Sequence, residues 1–135
     1  MQKEEIARMK RHEAREKAMQ TLFQLDSTEM TPEEAMEHIT GEDEVRDPFY
    51  ASLVEGTYNK REEIDESLKS KLENWKLERL PKVERTVLRM AVFELLHMKE
   101  TPSKVVLNEA IELSKTFGDE KSSRFVNGVL SKYTD

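Results

Sequence analysis

The chain has 135 residues, a length that predicts one domain. It has no cysteine, which excludes disulfides, thiolate metal ligands and cysteine nucleophiles. No apolar run is long enough for a transmembrane helix, and the charged N-terminus lacks the apolar stretch of a signal peptide, so we expect a cytoplasmic protein. The formal net charge of −6 does not exclude nucleic acid, since residues 26–48 hold nine acids and one base, whereas residues 1–20 are net positive.

The apolar side chains recur at helical spacing along the chain. No segment alternates with a period of two, so no strand is predicted, and the expected fold is an all-α compact bundle of six or seven helices. Ala7, Ala14 and Ala18 share one face of the first helix, which indicates that another helix approaches closely. The helices are predicted over Glu4–Leu25, from Pro32, from Pro48 with a break near 59–65, over Pro81–Met98, over Pro102–Phe117 and over Lys121–Tyr133.

Four prolines mark predicted helix starts, because proline is tolerated in the first turn, where its missing N–H has no partner to lose. Three of them follow a residue that can cap a helix, and Thr31 with Glu34 has capping-box spacing. A helix apolar on most sides, as the one after Pro81 is, belongs at the centre of a bundle. The four prolines, each with the residue before it, are Thr31-Pro32, Asp47-Pro48, Leu80-Pro81 and Thr101-Pro102.

The residue types that catalysis needs do not occur in catalytic patterns. The three histidines, at positions 12, 38 and 97, form no zinc motif, and the four glycines form no phosphate-cradling loop. No serine sits in a nucleophile-elbow motif. The sequence therefore predicts a binding protein, not an enzyme, with no metal and no cofactor.

A row of basic side chains lies on the first predicted helix. Arg8, Arg11 and Arg15 follow spacings of three and four residues, and Lys10 adds charge nearby. Guanidinium groups suit a phosphate backbone, so one interpretation is RNA or DNA binding. The other is a solvated face on which these bases pair with glutamates of the same helix.

Met19 and Phe23 continue this strip toward the end of the helix. Two interpretations are open for them. They widen the core stripe, or they form an exposed apolar patch for a protein partner.

The start of the last predicted helix combines basic, hydroxyl and aromatic residues. Lys121, Ser122 and Arg124 lie where unpaired N–H groups and hydroxyls can receive phosphate. Phe125 either stacks on an RNA base or packs in the core. Gly128 costs a helix about 1 kcal/mol, and such a local conflict often marks close backbone packing or a contact surface.

Four blocks of the sequence resemble the NusB family of bacterial transcription antitermination factors. The resemblance covers nearly the whole chain, in the family's order, and the last two blocks are the most specific. The blocks are R-H-E-A-R-E-K-A-M-Q-T-L-F at 11–23, L-P-K-V-E-R-T-V-L-R at 80–89, V-V-L-N-E-A-I-E-L at 105–113, and F-G-D-E-K-S-S-R-F-V-N-G-V-L at 117–130.

The resemblance implies a non-enzymatic protein of two packed helical subdomains, with a boundary that we expect near residue 73 (about 1–73 and 74–135). It implies partnership with NusE, a small-subunit ribosomal protein. The pair would bind the single-stranded boxA element of ribosomal RNA leaders, join other Nus factors on RNA polymerase, and support processive rRNA transcription. A protein-binding helical scaffold without RNA contact is the alternative, favoured by the acidic segment and the Met19 and Phe23 strip.

Site residues follow from the resemblance by position. Arg11 and Arg15 match the arginine-rich start that the family uses for RNA, and Phe23 and Glu84 match positions that face NusE. His12 and Glu13 stand where some relatives have arginines, which predicts weaker RNA binding by the chain alone. Lys121 stands where some members have an acid, and this exchange favours RNA binding. The second RNA-facing stretch is matched by Lys121, Ser122, Arg124 and Phe125.

Overall fold

A computed structural model describes residues 9–41 and 46–134, and within these ranges the protein is all-helical, as predicted. The described residues contain seven α-helices and two short 3-10 turns, at Leu77–Arg79 and Ser131–Tyr133, and no strand. None of the helices is long and apolar enough to cross a membrane. The helices are α1 Arg11–Leu25, α2 Pro32–Thr40, α3 Pro48–Asn59, α4 Arg61–Lys71, α5 Lys82–His97, α6 Ser103–Phe117 and α7 Glu120–Leu130.

The predicted starts of α2 and α3 are confirmed. The Thr31 hydroxyl accepts the Glu34 N–H at 3.1 Å, and Glu34 Oε1 accepts the Thr31 N–H at 2.8 Å, which completes the capping box. The backbone and hydroxyl hydrogen bonds from Thr31 lower the pKa of the Glu34 carboxyl. At α3, Asp47 Oδ1 accepts the Tyr50 N–H at 2.9 Å.

The other predicted starts shift by one residue or more. Pro81 and Pro102 are extended N-cap residues, with ψ of 148° and 138°, so Thr101 lies outside α6 and its predicted capping role is wrong. The first helix begins at Arg11 and not at Glu4; Lys10 is extended, and residues 4–8 lie outside the described ranges. The Met9 N–H, just before this start, donates to Asp47 Oδ2 at 3.0 Å.

The chain divides into two compact units, Met1–Tyr58 and Asn59–Asp135. In the first unit α1 packs against α2, and Ala14 and Ala18 are fully buried, in agreement with the close approach expected from the small side chains. The buried Tyr50 hydroxyl of α3 lies 2.7 Å from Thr21 Oγ1 of α1, and burial raises the pKa of Tyr50.

The second unit is built around α5, which packs against α4, α6 and α7 as expected for a mostly apolar helix. The Arg89 guanidinium binds both carboxylate oxygens of Asp65 on α4, at 2.8 and 3.0 Å. The Tyr133 hydroxyl lies 2.7 Å from Ser67 Oγ, also on α4. These contacts explain why the structure divides after Tyr58 and not near residue 73, since they place α4 with the later helices.

Candidate nucleic-acid interface

The arginine row on α1 is only partly open to solvent. Lys10 and Arg11 are exposed, whereas Arg15 is 4% exposed, so the predicted continuous basic row is wrong at this position. Arg8 lies outside the described residues. The buried face of this helix is wide enough to include Arg15 together with Ala14 and Ala18. The long aliphatic stem of an arginine can be buried in this way.

The ring of Phe49, in the first turn of α3, lies under the arginines of α1. The guanidinium carbon of Arg11 is 4.0 Å from the Phe49 ring centroid, and that of Arg15 is 5.0 Å away. Both distances are those of cation–π contacts. The contact of Phe49 with Arg11 has no local signal in the sequence, because the two residues lie on different helices.

Met19 is 1% exposed and belongs to the core, so the expected exposed apolar patch is wrong for this residue. The wide core stripe, the other interpretation, describes it correctly. Phe23, one turn later, is half-buried and remains accessible in part.

The start of α7 is closed by its own side chains. Asp119 Oδ1 accepts the Ser122 N–H at 2.8 Å, and the Ser122 hydroxyl lies 3.0 Å from the same oxygen and 3.1 Å from Glu84 Oε1 of α5. The Ser123 hydroxyl donates to the Glu120 carbonyl at 2.8 Å. The expectation of unpaired groups that receive phosphate is therefore wrong at Ser122, whose N–H and hydroxyl are already bonded to acceptors of the protein.

These hydrogen bonds also fix the charge at the helix terminus. The backbone N–H and hydroxyl of Ser122 lower the pKa of Asp119, so a carboxylate stands at the N-terminus of α7. The exposed cations of this segment are Lys121 and Arg124. The Ser122 bond to the half-buried Glu84 joins a predicted NusE-facing position to the predicted RNA-facing stretch.

Phe125 is half-buried, between the two interpretations of the sequence. Its ring packs edge-to-face against Trp75, with centroids 5.6 Å apart and planes at 73°. Trp75 is 57% exposed, whereas Leu77 and Leu80, which follow it, are buried. Sequence analysis assigned Trp75 no site role; the signal available was a single tryptophan in a polar stretch, between Asn74 and Lys76.

The described residues contain no group of three or more side chains that could hold a metal ion. Each unit separately has exposed cations and an aromatic ring: Arg11 with Phe49 in the first unit, and Lys121 and Arg124 on the helix that carries Phe125 in the second. Such surfaces bind phosphates and unstacked bases.

Comparisons with known proteins give similarity over nearly the whole chain. The model of the NusB family matches residues 12–135. The transcription antitermination protein NusB of Lysinibacillus sphaericus is 65% identical over 127 residues, covering 94% of this chain and 98% of the relative. That of Geobacillus kaustophilus is 53% identical over 124 residues, covering 92% and 95%.

Solved structures are similar as well. T. maritima NusB is 34% identical with a TM-score of 0.82, covering 94% of this chain and 92% of that one. A chain from the crystal structure of antitermination factors NusB and NusE in complex with dsRNA is 31% identical with a TM-score of 0.81, covering 93% and 97%.

Proposed function

The chain belongs to the NusB family, and from this premise we propose that it binds boxA RNA of ribosomal RNA leaders together with NusE. As a member of this family it is a non-enzymatic transcription antitermination factor. The proposed complex promotes processive rRNA transcription, reaches RNA polymerase through other Nus factors, and acts in the cytoplasm, where the nascent RNA is made.

One observation carries the proposal. A NusB chain solved with NusE and dsRNA aligns with 93% of this chain at a TM-score of 0.81. The exposed cations and half-buried aromatic ring described above support the same activity, because phosphate contacts position an RNA and aromatic rings stack on its bases.

We assign the RNA contacts to exposed side chains of each unit. On α1 these are Lys10 and Arg11, and Arg15 acts from below by helping to hold the Phe49 ring. Arg8 is proposed as a further contact from the sequence alone. On α7 they are Lys121, Arg124 and Phe125, whereas Ser122 acts through its hydrogen bond to Glu84.

The NusE contacts are assigned to Phe23 and Glu84, both half-buried. Met19 supports the α1 surface from within the core and is not exposed to a partner. Arg15 is buried, and the serine hydroxyls already form hydrogen bonds within the protein. Few cations and hydroxyl donors are therefore left to bind phosphate. We therefore expect weak RNA binding by the chain alone and tighter binding when NusE supplies further contacts.

Titration of a fluorescein-labelled boxA RNA, with and without NusE, tests the proposal by fluorescence anisotropy. Arg11→Ala and Arg124→Ala should each weaken binding about 10- to 150-fold, the effect of losing one charge-assisted phosphate contact. Lys115→Ala is the matched control, because Lys115 is an exposed cation of α6 within 3.9 Å of Glu112 and is assigned no RNA contact.

Two results would contradict the proposal in different ways. If the wild-type chain binds NusE but the pair does not retain boxA RNA, the protein-binding scaffold is the correct function. If RNA binds but both arginine variants match the wild type, the RNA lies on another surface.

A further inference from the structure

Trp75 is exposed, whereas the two leucines that follow it, Leu77 and Leu80, are buried. It lies between α4 and the 3-10 turn at Leu77–Arg79, and Leu77 and Leu80 anchor that turn in the core. An exposed indole surrounded by buried leucines is not needed for the packing of its own segment. The edge-to-face contact with Phe125 fixes the ring while 57% of the residue remains open to solvent.

The acidic side chains near Trp75 in sequence have cationic partners. Glu73 Oε1 lies 3.4 Å from Lys132 Nζ, and Glu78 Oε2 lies 4.0 Å from Lys69 Nζ. These exposed pairs offset the two negative charges that would otherwise repel a phosphate beside the indole.

The cations near the aromatic pair are more available. Lys76 and Arg124 are exposed, and neither forms an ion pair with any residue in the described ranges. Lys121 lies one helical turn before Phe125 and therefore on the same side of α7. Lys76, Lys121 and Arg124 therefore supply exposed positive charge on the segments that carry the two rings.

The side of α7 that carries Phe125 also has an open stretch of backbone. Gly128 follows Phe125 by three residues, is exposed, and has no atom within 4 Å of the position that a Cβ would occupy. The packing of the described chain therefore does not require glycine here. A bare helix backbone beside an aromatic ring allows a ligand to approach closely.

We propose that Trp75 is an RNA-contacting residue, on whose exposed indole a base of single-stranded RNA stacks while Phe125 supports the ring from its edge. A nucleic acid is favoured over a protein partner because a flat aromatic surface beside exposed cations matches a base and its phosphates. The inference rests on the proposed RNA-binding function and adds a residue outside the blocks that carry the family resemblance.

The test measures affinity for fluorescein-labelled single-stranded boxA RNA at saturating NusE. Trp75→Ala should weaken binding about 5- to 100-fold, the range expected when one stacked base loses its aromatic partner. Trp75→Phe keeps a ring and should lose less, whereas Trp75→Leu keeps apolar bulk without a π face and should resemble Trp75→Ala. Val105→Ala, at an apolar residue of α6 that is also exposed (41%), is the control and should bind as the wild type does.

A second measurement reports contact directly, since Trp75 is the chain's only tryptophan. Unlabelled boxA RNA should quench the emission of Trp75. The complex of NusE with the Trp75→Phe variant gives the background emission to be subtracted. Wild-type affinity in Trp75→Leu, or binding without quenching, would overturn the stacking role and leave the proposed function intact. Absence of RNA binding by the wild-type pair would overturn both.

Discussion

Single side chains determine what the start of α7 can bind. Asp119 accepts the Ser122 N–H, and the Ser122 hydroxyl is divided between Asp119 and Glu84. An anion at this helix end would meet two carboxylates before it met a free donor. The proposed RNA contacts are therefore side chains that project from the helix, and not the helix terminus itself.

The lowered pKa of Asp119 makes a prediction about acid stability. A carboxyl whose folded pKa lies below its ordinary value of 3.8 stabilises the fold above that value, and the contribution is lost as the pH falls through the folded pKa. Asp119→Asn keeps an oxygen acceptor but removes the charge. The difference in free energy of unfolding between the two proteins should be constant near neutral pH and shrink toward zero below pH 3.8.

Urea unfolding followed by circular dichroism, repeated from neutral to acidic pH, measures this difference. Other carboxyl groups titrate in both proteins and cancel. A difference that does not change with pH would show that the charge of Asp119 does not stabilise the start of α7.

The exposure of the predicted site residues agrees with expectation at some positions and not at others. Lys121 and Arg124 were expected to be available and are exposed. Arg15 was expected on an accessible strip but is buried, and Met19, for which the core stripe and an exposed patch were both open, is buried as well. Periodicity locates the centre of a core face but not its width. Trp75 was overlooked because its ring partner is 50 residues away in the sequence.

At the scale of elements, the helix starts with a local cap were the most predictable. The partners of Thr31 and Asp47 lie three residues away, so the pattern and the structure agree. Thr101 also precedes a proline, but Pro102 is extended and is itself the N-cap residue. Thr101 therefore lies outside the helix. The boundary between the two units was displaced because α4 gains its partners from distant parts of the chain.

Two glycines near α7 give opposite predictions. A Cβ at Gly118 would lie 2.6 Å from Ser122 Oγ and 2.8 Å from the Ser114 carbonyl oxygen, so the junction of α6 and α7 must shift to admit it. Gly118→Ala should lower the free energy of unfolding by about 1–3 kcal/mol. Gly128→Ala, in open space within the helix, should raise it by up to about 1 kcal/mol.

The two alanine variants serve as controls for each other in denaturant titrations, because they make the same chemical change. Equal effects of the same sign would show that helix propensity alone governs both positions. That result would contradict the close packing assigned to Gly118.

For the whole molecule, the charge distribution predicts how RNA binding depends on salt. The acidic segment at 26–48 has a single base, Arg46, which pairs with Glu33 at 2.7 Å. The proposed phosphate contacts lie outside that segment. With about four such contacts, the logarithm of the association constant should fall with the logarithm of salt concentration at a slope of about −3.

Anisotropy titrations of the complete chain with NusE, at several salt concentrations, give this slope. Arg124→Ala should reduce its magnitude by about 0.7, since one fewer counterion is released, whereas Lys115→Ala should leave it unchanged. NusE adds its own constant contribution, so the change between variants is the decisive quantity. A slope that is the same in all three proteins would exclude Arg124 from the RNA backbone.

The cation–π contact at Phe49 affects how much order Arg11 must gain when it binds a phosphate. A free arginine loses about 2 kcal/mol of rotamer entropy when a ligand immobilises it. The Arg11 guanidinium already rests 4.0 Å above the Phe49 ring, so much of that ordering occurs when the protein folds. Arg11 is thus preorganised, and an arriving phosphate meets a donor that needs little rearrangement.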